Sequence, residues 1–247
     1  MSEITVSAIV LRRKDSGESD RRLTLLTREL GKFDVVAKGA KKGGSRLSGS
    51  SDPLVAARMT LAKGKVNRFV TQSQPIASFR NIRTDFDRLS AALALVELYA
   101  AIVPFEEPFE EAFDLLLASL EALDGHPKAV VAAVWAELRL LDISGYLPPF
   151  DTCLSDGEGI REAEPWLSPR AGGYVNAADA IRYVDRFQTR AEVLVGLART
   201  AELDSPPMNL KFADECLAAL LPFWRHIAEM ALPANESYVG EVRHAHL

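Results

Sequence analysis

The sequence predicts an α+β, multidomain protein: a basic module of five short strands suited to a small barrel, then an α-helical half that carries one irregular insertion. Three observations predict it. Strand-like alternation gives way to helical spacing near residues 80–85. The charge reverses at the same place: residues 1–84 hold 17 Lys and Arg against 7 Asp and Glu, or +10, and residues 85–247 hold 12 against 27, or -15. Finally, residues 146–179 are rich in Gly, Pro, Asp and Ser, so they read as an insertion. The expected domains are 1–82, then 83–145 with 180–247, interrupted by 146–179.

In the first module, Ile4, Val6, Ala8 and Val10 alternate with Thr5, Ser7, Ile9 and Leu11, followed by strand-like runs at Leu23–Thr27 and Phe33–Ala37. Ala57–Leu61 and Val66–Gln72 flank Ala62-Lys63-Gly64-Lys65, a connection of hairpin length. Helical stripes follow: Leu89, Leu93, Val96, Ala100 and Val103, then Phe109, Phe113, Leu116, Leu120 and Leu123, then Val130, Val134, Leu138 and Leu141. Arg190–Leu203 forms a shorter stripe, and Asn209 is the expected cap of a long helix carrying Phe212, Cys216, Leu220, Trp224 and Ile227.

Composition narrows the function classes. With 48% hydrophobic residues over 247 positions, the chain can bury a sizeable core. Two distant cysteines, Cys153 and Cys216, make no disulfide framework and fit a reducing compartment. Met-Ser-Glu before Ile4 offers no basic leader region, so a cytoplasmic protein is expected. A +10 segment has the electrostatic footprint of a phosphate-binding module, whereas the acidic remainder repels nucleic acid. No G-x-x-x-x-G-K-[ST] run is present, and His126, His226, His244 and His246 stand in no hydrolase or nuclease context; His226, beside Trp224, is expected in the core or at its boundary.

Two segments carry a resemblance. Gly17-Glu18-Ser19-Asp20-Arg21-Arg22-Leu23-Thr24-Leu25-Leu26-Thr27-Arg28-Glu29-Leu30-Gly31-Lys32, with Val36-Ala37-Lys38-Gly39-Ala40-Lys41-Lys42 after it, resembles the N-terminal region of RecO recombination mediators. Leu140-Leu141-Asp142-Ile143-Ser144-Gly145-Tyr146-Leu147-Pro148-Pro149-Phe150-Asp151-Thr152-Cys153 resembles that family's helix end and the start of its cysteine motif. The resemblance implies an N-terminal OB-fold, a helical bundle and a small zinc-ribbon-like insertion. It also implies binding of single-stranded and double-stranded DNA, and annealing of strands coated with single-strand-binding protein. The implied partners are RecR and the C-terminal tail of single-strand-binding protein, with a functional link to RecA loading. An expected location is the cytoplasm, in association with the nucleoid.

Within the basic module, Lys38, Lys41, Lys42 and Arg46 share nine residues with Gly39, Gly43 and Gly44, a flexible segment able to approach phosphates and the expected main DNA contact. A solvated loop whose charges serve solubility is the other reading. Arg12, Arg13 and Lys14 with Arg21 and Arg22 are expected at the ends of one hairpin; Lys63 and Lys65, with Arg58 and Arg68, extend the surface. Phe33, Phe69 and Phe79 are the module's aromatic residues, all expected in the core, so binding should depend on the phosphate backbone and on salt. The run Glu106-Glu107-Pro108-Phe109-Glu110-Glu111 should face solvent and complement a helix N-terminus.

The cysteine motif departs from the resemblance. Cys153 matches a first ligand, but Asp156 stands at the second position, and Asn176 and Asp179 follow Gly172-Gly173. One thiolate, two carboxylates and an amide make a poor zinc set, so no cofactor or metal is expected and packing of Trp166, Leu167 and Tyr174 should hold the insertion. His244 and His246 are alternative ligands in principle, though an exposed tail is the expectation. An arginine-rimmed pocket for an acidic tail is expected among Arg139, Arg186, Arg190 and Arg199. Competing functions are an RNA-binding OB module, a metal-dependent hydrolase built on the insertion, and a protein-binding scaffold.

Overall fold

Alternating apolar residues close the N-terminal strands into a barrel in the computed structural model, which describes residues 3–244. Strands β1 (Glu3–Ser16), β2 (Asp20–Thr27), β3 (Gly31–Ala37), β4 (Ala56–Lys63) and β5 (Arg68–Ala77) run in the order β1-β2-β3-β5-β4, and β1 pairs with β4 to close the ring. Strands β3 and β5 pair in parallel, over Val35–Val36 and Arg68–Phe69. This five-stranded barrel is the OB-fold. Val6, Ala8, Val10, Leu23, Leu25, Phe33, Val35, Met59, Leu61 and Val70 fill it, as period-two alternation requires. A bulge between Val10 and Arg12 shifts the β1 register against β2. A single helical turn, α1 (Leu47–Ser50), joins β3 to β4.

Helices α2 (Arg80–Thr84), α3 (Phe86–Ile102) and α4 (Glu110–Gly125) follow. Asp85 caps α3 by accepting the Arg88 N–H. The expected single stripe on α3 is too narrow: Leu89 and Leu93 are half-buried, while Ala91, Ala92, Ala94, Leu98 and Tyr99 are buried. In α4, Phe113, Leu116, Leu120 and Leu123 are buried as their spacing predicts. The segment before α4 lies along β3, where the Glu106 N–H donates to Lys32 O at 2.7 Å. Gly31, at φ 72°, makes this possible, because a Cβ there would lie 1.8 Å from Glu107 O. Lys32 is buried, its ammonium donating to Ala100 O at 2.7 Å in the last turn of α3 and lying 4.5 Å from the Phe105 ring. Desolvation lowers its pKa to about 8.

Contacts divide the chain into two compact units, residues 1–121 and 122–247. The second contains α5 (Ala129–Ile143), β6 (Trp166–Ser168), β7 (Gly173–Val175), α6 (Ala177–Ala180), β8 (Phe187–Gln188), α7 (Ala191–Ala201), α8 (Ala213–Ala228) and α9 (Pro233–His244). Helix α5 packs on α7 and α8, and α8 on α9. The buried Glu137 ties three helices: its carboxylate accepts from Trp224 Nε1 and from Asn235 Nδ2, each at 2.8 Å. Burial outweighs these two hydrogen bonds and pushes its pKa up to about 7.

Some expectations are corrected here. Asn209 does not cap the long helix; Phe212, in the left-handed region at φ 55° and ψ 41°, precedes α8, and Asn209 Oδ1 instead accepts from Lys128 Nζ at 2.9 Å. His226 is exposed, because the apolar side of α8 is set by Cys216, Leu217, Leu220, Phe223 and Trp224. His244 closes α9 with Nδ1 2.6 Å from Gly240 O, while His246 lies outside the described residues. Among the described residues, no helix is long and apolar enough to cross a membrane.

Candidate nucleic-acid interface

The hairpin of β1 and β2 brings the predicted cations together. Its register sets Asp15 opposite Arg21, Lys14 opposite Arg22, Arg13 opposite Leu23 and Arg12 opposite Thr24. Paired residues project to the same side of a sheet, so adjacent pairs alternate between its two sides. Arg13 and Arg21 turn to Asp52, and Arg21 also donates to Ser48 O at 2.8 Å and Ser51 Oγ at 2.6 Å. These two arginines hold the α1 turn against the hairpin. Arg12 and Arg22 are exposed and have no ion-pair partner among the described residues.

The Lys38–Arg46 segment is folded as successive turns, which corrects the expectation of a flexible loop. The Gly39 N–H donates to Asp20 Oδ1 at 2.8 Å, the Lys41 N–H to Ser19 O at 2.9 Å, and the Ser45 N–H to Lys42 O at 3.1 Å. The Gly39 N–H holds the Asp20 carboxyl below its usual pKa range, and the Lys41 ammonium, 2.9 Å from Asp15, does the same there. Lys41 is thus engaged, and Lys38 lies 4.4 Å over the Phe69 ring. Lys42 and Arg46 are exposed, with no ion-pair partner among the described residues; so are Lys63 and Lys65 on the β4–β5 hairpin. Arg68 instead pairs with Glu106 at 3.3 Å and covers the Phe33 ring at 4.7 Å. With Lys14 and Arg58, also exposed and without an ion-pair partner among the described residues, Arg12, Arg22, Lys42, Arg46, Lys63 and Lys65 make a surface able to neutralise phosphates without first breaking internal pairs.

The aromatic residues divide. Phe33 and Phe79 are buried, as expected, but Phe69 is only half-buried. The acidic run behaves partly as expected: Glu110 and Glu111 occupy the first turn of α4, while Glu106 pairs with Arg68.

Comparisons with known proteins bear on the family. Residues 1–79 match the family described as Recombination protein O N terminal, and residues 83–233 match Recombination protein O C terminal. A DNA repair protein RecO of Roseiflexus sp. is 40% identical over 241 residues, covering 96% of this chain and 84% of that protein. The chain belongs to the RecO family. A RecO of Dehalococcoides mccartyi is 34% identical over 235 residues, 95% of this chain and 89% of the relative. With the RecO of Heliobacterium modesticaldum, identity is 41% over 172 residues, 68% of this chain but 62% of that protein, less than two thirds of its length.

The zinc-ribbon positions that RecO resemblance implies are spoken for by other partners. The Asp156 carboxylate accepts from the Glu158 N–H at 3.0 Å, from Arg161 at 2.5 Å and from Asn176 Nδ2 at 3.0 Å. The Glu158 N–H first, then Arg161, drive its pKa well below the usual range. Asn176 Oδ1 also accepts the Asp179 N–H, and Asp179 pairs with Arg182 at 3.1 Å. Among the described residues, no group of three or more His, Cys, Asp or Glu is placed to hold a metal ion. The donor set does not fit zinc, and polar links join the packing of buried Leu167 and Tyr174 in holding the insertion; Trp166 is only half-buried.

Among the second unit's arginines, Arg139 pairs with Asp142 at 2.9 Å and Arg186 lies 5.3 Å over the Trp166 ring. Arg190 lines a groove of about 550 Å³ with Phe187, Pro222, Arg225, Arg243 and the carboxylates of Glu164 and Glu215. Arg199 is in the last turn of α7 and is not in that lining. Arg225 and Arg243 carry no sequence signal that marks a pocket; the packing of α8 on α7 and of α9 on α8 brings them near Arg190.

Proposed function

We propose that this RecO-family chain is a non-enzymatic recombination mediator that binds single-stranded and double-stranded DNA on the barrel and anneals complementary strands without nucleotide hydrolysis. The observation that carries the reading is the set of exposed barrel cations with no ion-pair partner among the described residues: Arg12, Arg22, Lys42, Arg46, Lys63 and Lys65, with Lys14 and Arg58 beside them. Cations that screen phosphates on two strands at once lower the repulsion that opposes their meeting. Lys38, Lys41, Arg13 and Arg21 contribute less directly, since each already has a partner: Lys41, Arg13 and Arg21 hold the turns that present Lys42 and Arg46.

The partners in this reading are RecR and the C-terminal tail of single-strand-binding protein, with RecA loading as the outcome, in the cytoplasm at the nucleoid. An acidic tail suits the groove where Arg190, Arg225 and Arg243 meet Glu164 and Glu215: Arg190 pairs with Glu215 and Arg225 with Glu236, which leaves the exposed Arg243, with no ion-pair partner among the described residues, as the cation to receive it. Its apolar floor of Phe187, Leu221 and Pro222 suits a tail with apolar side chains. Replacing Arg243 and Arg225 with Glu should abolish binding of a fluorescent tail peptide and leave oligonucleotide binding intact.

Strand annealing followed by fluorescence, without ATP, tests the main reading. The unaltered chain should accelerate it, and R12A/R22A/K42A/R46A should slow that acceleration about tenfold or more while melting normally. Neither acceleration nor DNA binding at moderate salt would contradict it and favour a protein-binding scaffold.

A further inference from the structure

One register row runs across the barrel from the hairpin to the parallel pair: Lys14 opposite Arg22, Arg22 opposite Val36, and Val36 opposite Phe69. Residues opposed in this way share a side of the sheet, so Phe69 lies on the side that carries Arg22 and Lys14. The next residue, Val70, is in the barrel core, which confirms by alternation that Phe69 faces out. Two strand spacings, about 10 Å, separate Arg22 from Phe69.

The ring is held in place from one edge. A Cβ on Gly64 would lie 2.6 Å from Phe69 Cε2 and 2.9 Å from Asn67 O, so glycine lets the β4–β5 hairpin close against the ring. Over the ring sits the ammonium of Lys38, at 4.4 Å, on an exposed side chain. Beside the hairpin is a cleft of about 290 Å³ lined by Lys63, Lys65, Asn67 and Arg68, with Asp34 as its one carboxylate.

Other phenylalanines of this unit lack that setting. Phe33 and Phe79 are 2% and 3% exposed and offer no free face. Phe113 is 2% exposed, Phe86 stands between Asp85 and Asp87, and Phe109 precedes Glu110 and Glu111. Phe105 has the Lys32 ammonium at 4.5 Å, but that cation is buried and Glu106 and Glu107 follow the ring, where phosphates are repelled. Phe69 therefore combines a partly open aromatic ring with surrounding cations.

We infer that Phe69 is a stacking platform for a base of single-stranded nucleic acid, uncovered when Lys38 leaves the ring for a phosphate. This rests on the DNA-binding reading above and deepens it. Cations grip duplex and single strand alike, but only an unpaired base can lie on the ring, so Phe69 gives the barrel a preference for the strands that annealing consumes. A cation held by a ring exchanges readily for a base, because the ammonium gains a phosphate as it leaves.

Fluorescence anisotropy with three probes tests it: an oligo-dT strand, an abasic strand of equal length, and a duplex. The unaltered chain should bind oligo-dT about tenfold more tightly than the abasic strand. F69L should erase that ratio while keeping duplex affinity and its salt dependence, and F69Y should restore it. Equal affinity of the unaltered chain for dT and abasic strands overturns the inference even if F69L fails to fold. A folded F69L that keeps the ratio overturns it too, placing stacking elsewhere. Loss of all binding to every probe by the unaltered chain would instead bring down the DNA-binding reading itself.

Discussion

The barrel and the second unit divide their cations differently: the second unit ties most of its arginines to acids and leaves the exposed Arg170, Arg199 and Arg243 without an ion-pair partner among the described residues, whereas the barrel leaves most of its exposed cations so. In the second unit, Arg139, Arg161, Arg182, Arg190 and Arg225 each reach a carboxylate, Asp142, Asp156, Asp179, Glu215 and Glu236 respectively, at 3.1 Å or less. In the barrel, Arg13, Arg21 and Lys41 are tied in the same manner, but Arg12, Arg22, Lys42, Arg46, Lys63 and Lys65 are left to solvent. A cation held by a neighbouring acid orders the chain around it; one without a partner is available to a ligand. The difference separates residues that build the surface from residues that use it.

The sharpest way to break that distinction is to remove cations of each kind. Replacing Arg12, Arg22, Lys42 and Arg46 with Ala should weaken single-strand binding about a hundredfold at moderate salt and leave the melting temperature unchanged, as read by anisotropy and thermal denaturation. Removing Arg161 should do the reverse: the insertion loses its link to Asp156 and the melting temperature falls, while DNA affinity holds. Comparable losses of affinity from both changes would erase the distinction.

Two of the buried ionisable groups, Lys32 in the first unit and Glu137 in the second, are of opposite sign, and pH separates them. Glu137 has a folded pKa of about 7 against an ordinary 4.5, so the folded state holds its proton more tightly. Its contribution is most favourable at low pH and is lost as pH rises from 4.5 through 7, a change of about 3 kcal/mol. In E137Q the stability lost between pH 5 and 8 should shrink by that order, measured by denaturant unfolding. Lys32 runs the other way. Its folded pKa of about 8 lies below the ordinary 10.5, so the unfolded state binds more protons between those values and stability should rise with pH there. K32M should lack that rise.

Much of this organisation is legible in the sequence because it depends on neighbours along the chain. Alternation marks Val6, Ala8 and Val10 as core, and the charge reversal near residue 84 marks the basic module. Features set by distant pairing are not legible in this way. The outward side of Phe69 follows from the parallel pairing of β3 with β5, which no local pattern encodes. Likewise, the ordering of the Lys38–Arg46 segment depends on Asp15, Ser19 and Asp20 from another turn. At α8, the left-handed Phe212 displaces the residue type that favours a cap, Asn209, because that side chain is drawn to Lys128.

The central claim is that unpaired barrel cations meet phosphates, and the salt dependence of oligo-dT affinity tests it most directly. If about six phosphates are neutralised, log K should fall with log salt at a slope of roughly -4, and R12A/R22A/K42A/R46A should bring it to roughly -1. An unchanged slope in that variant would contradict the account, because the phosphates would then be met elsewhere.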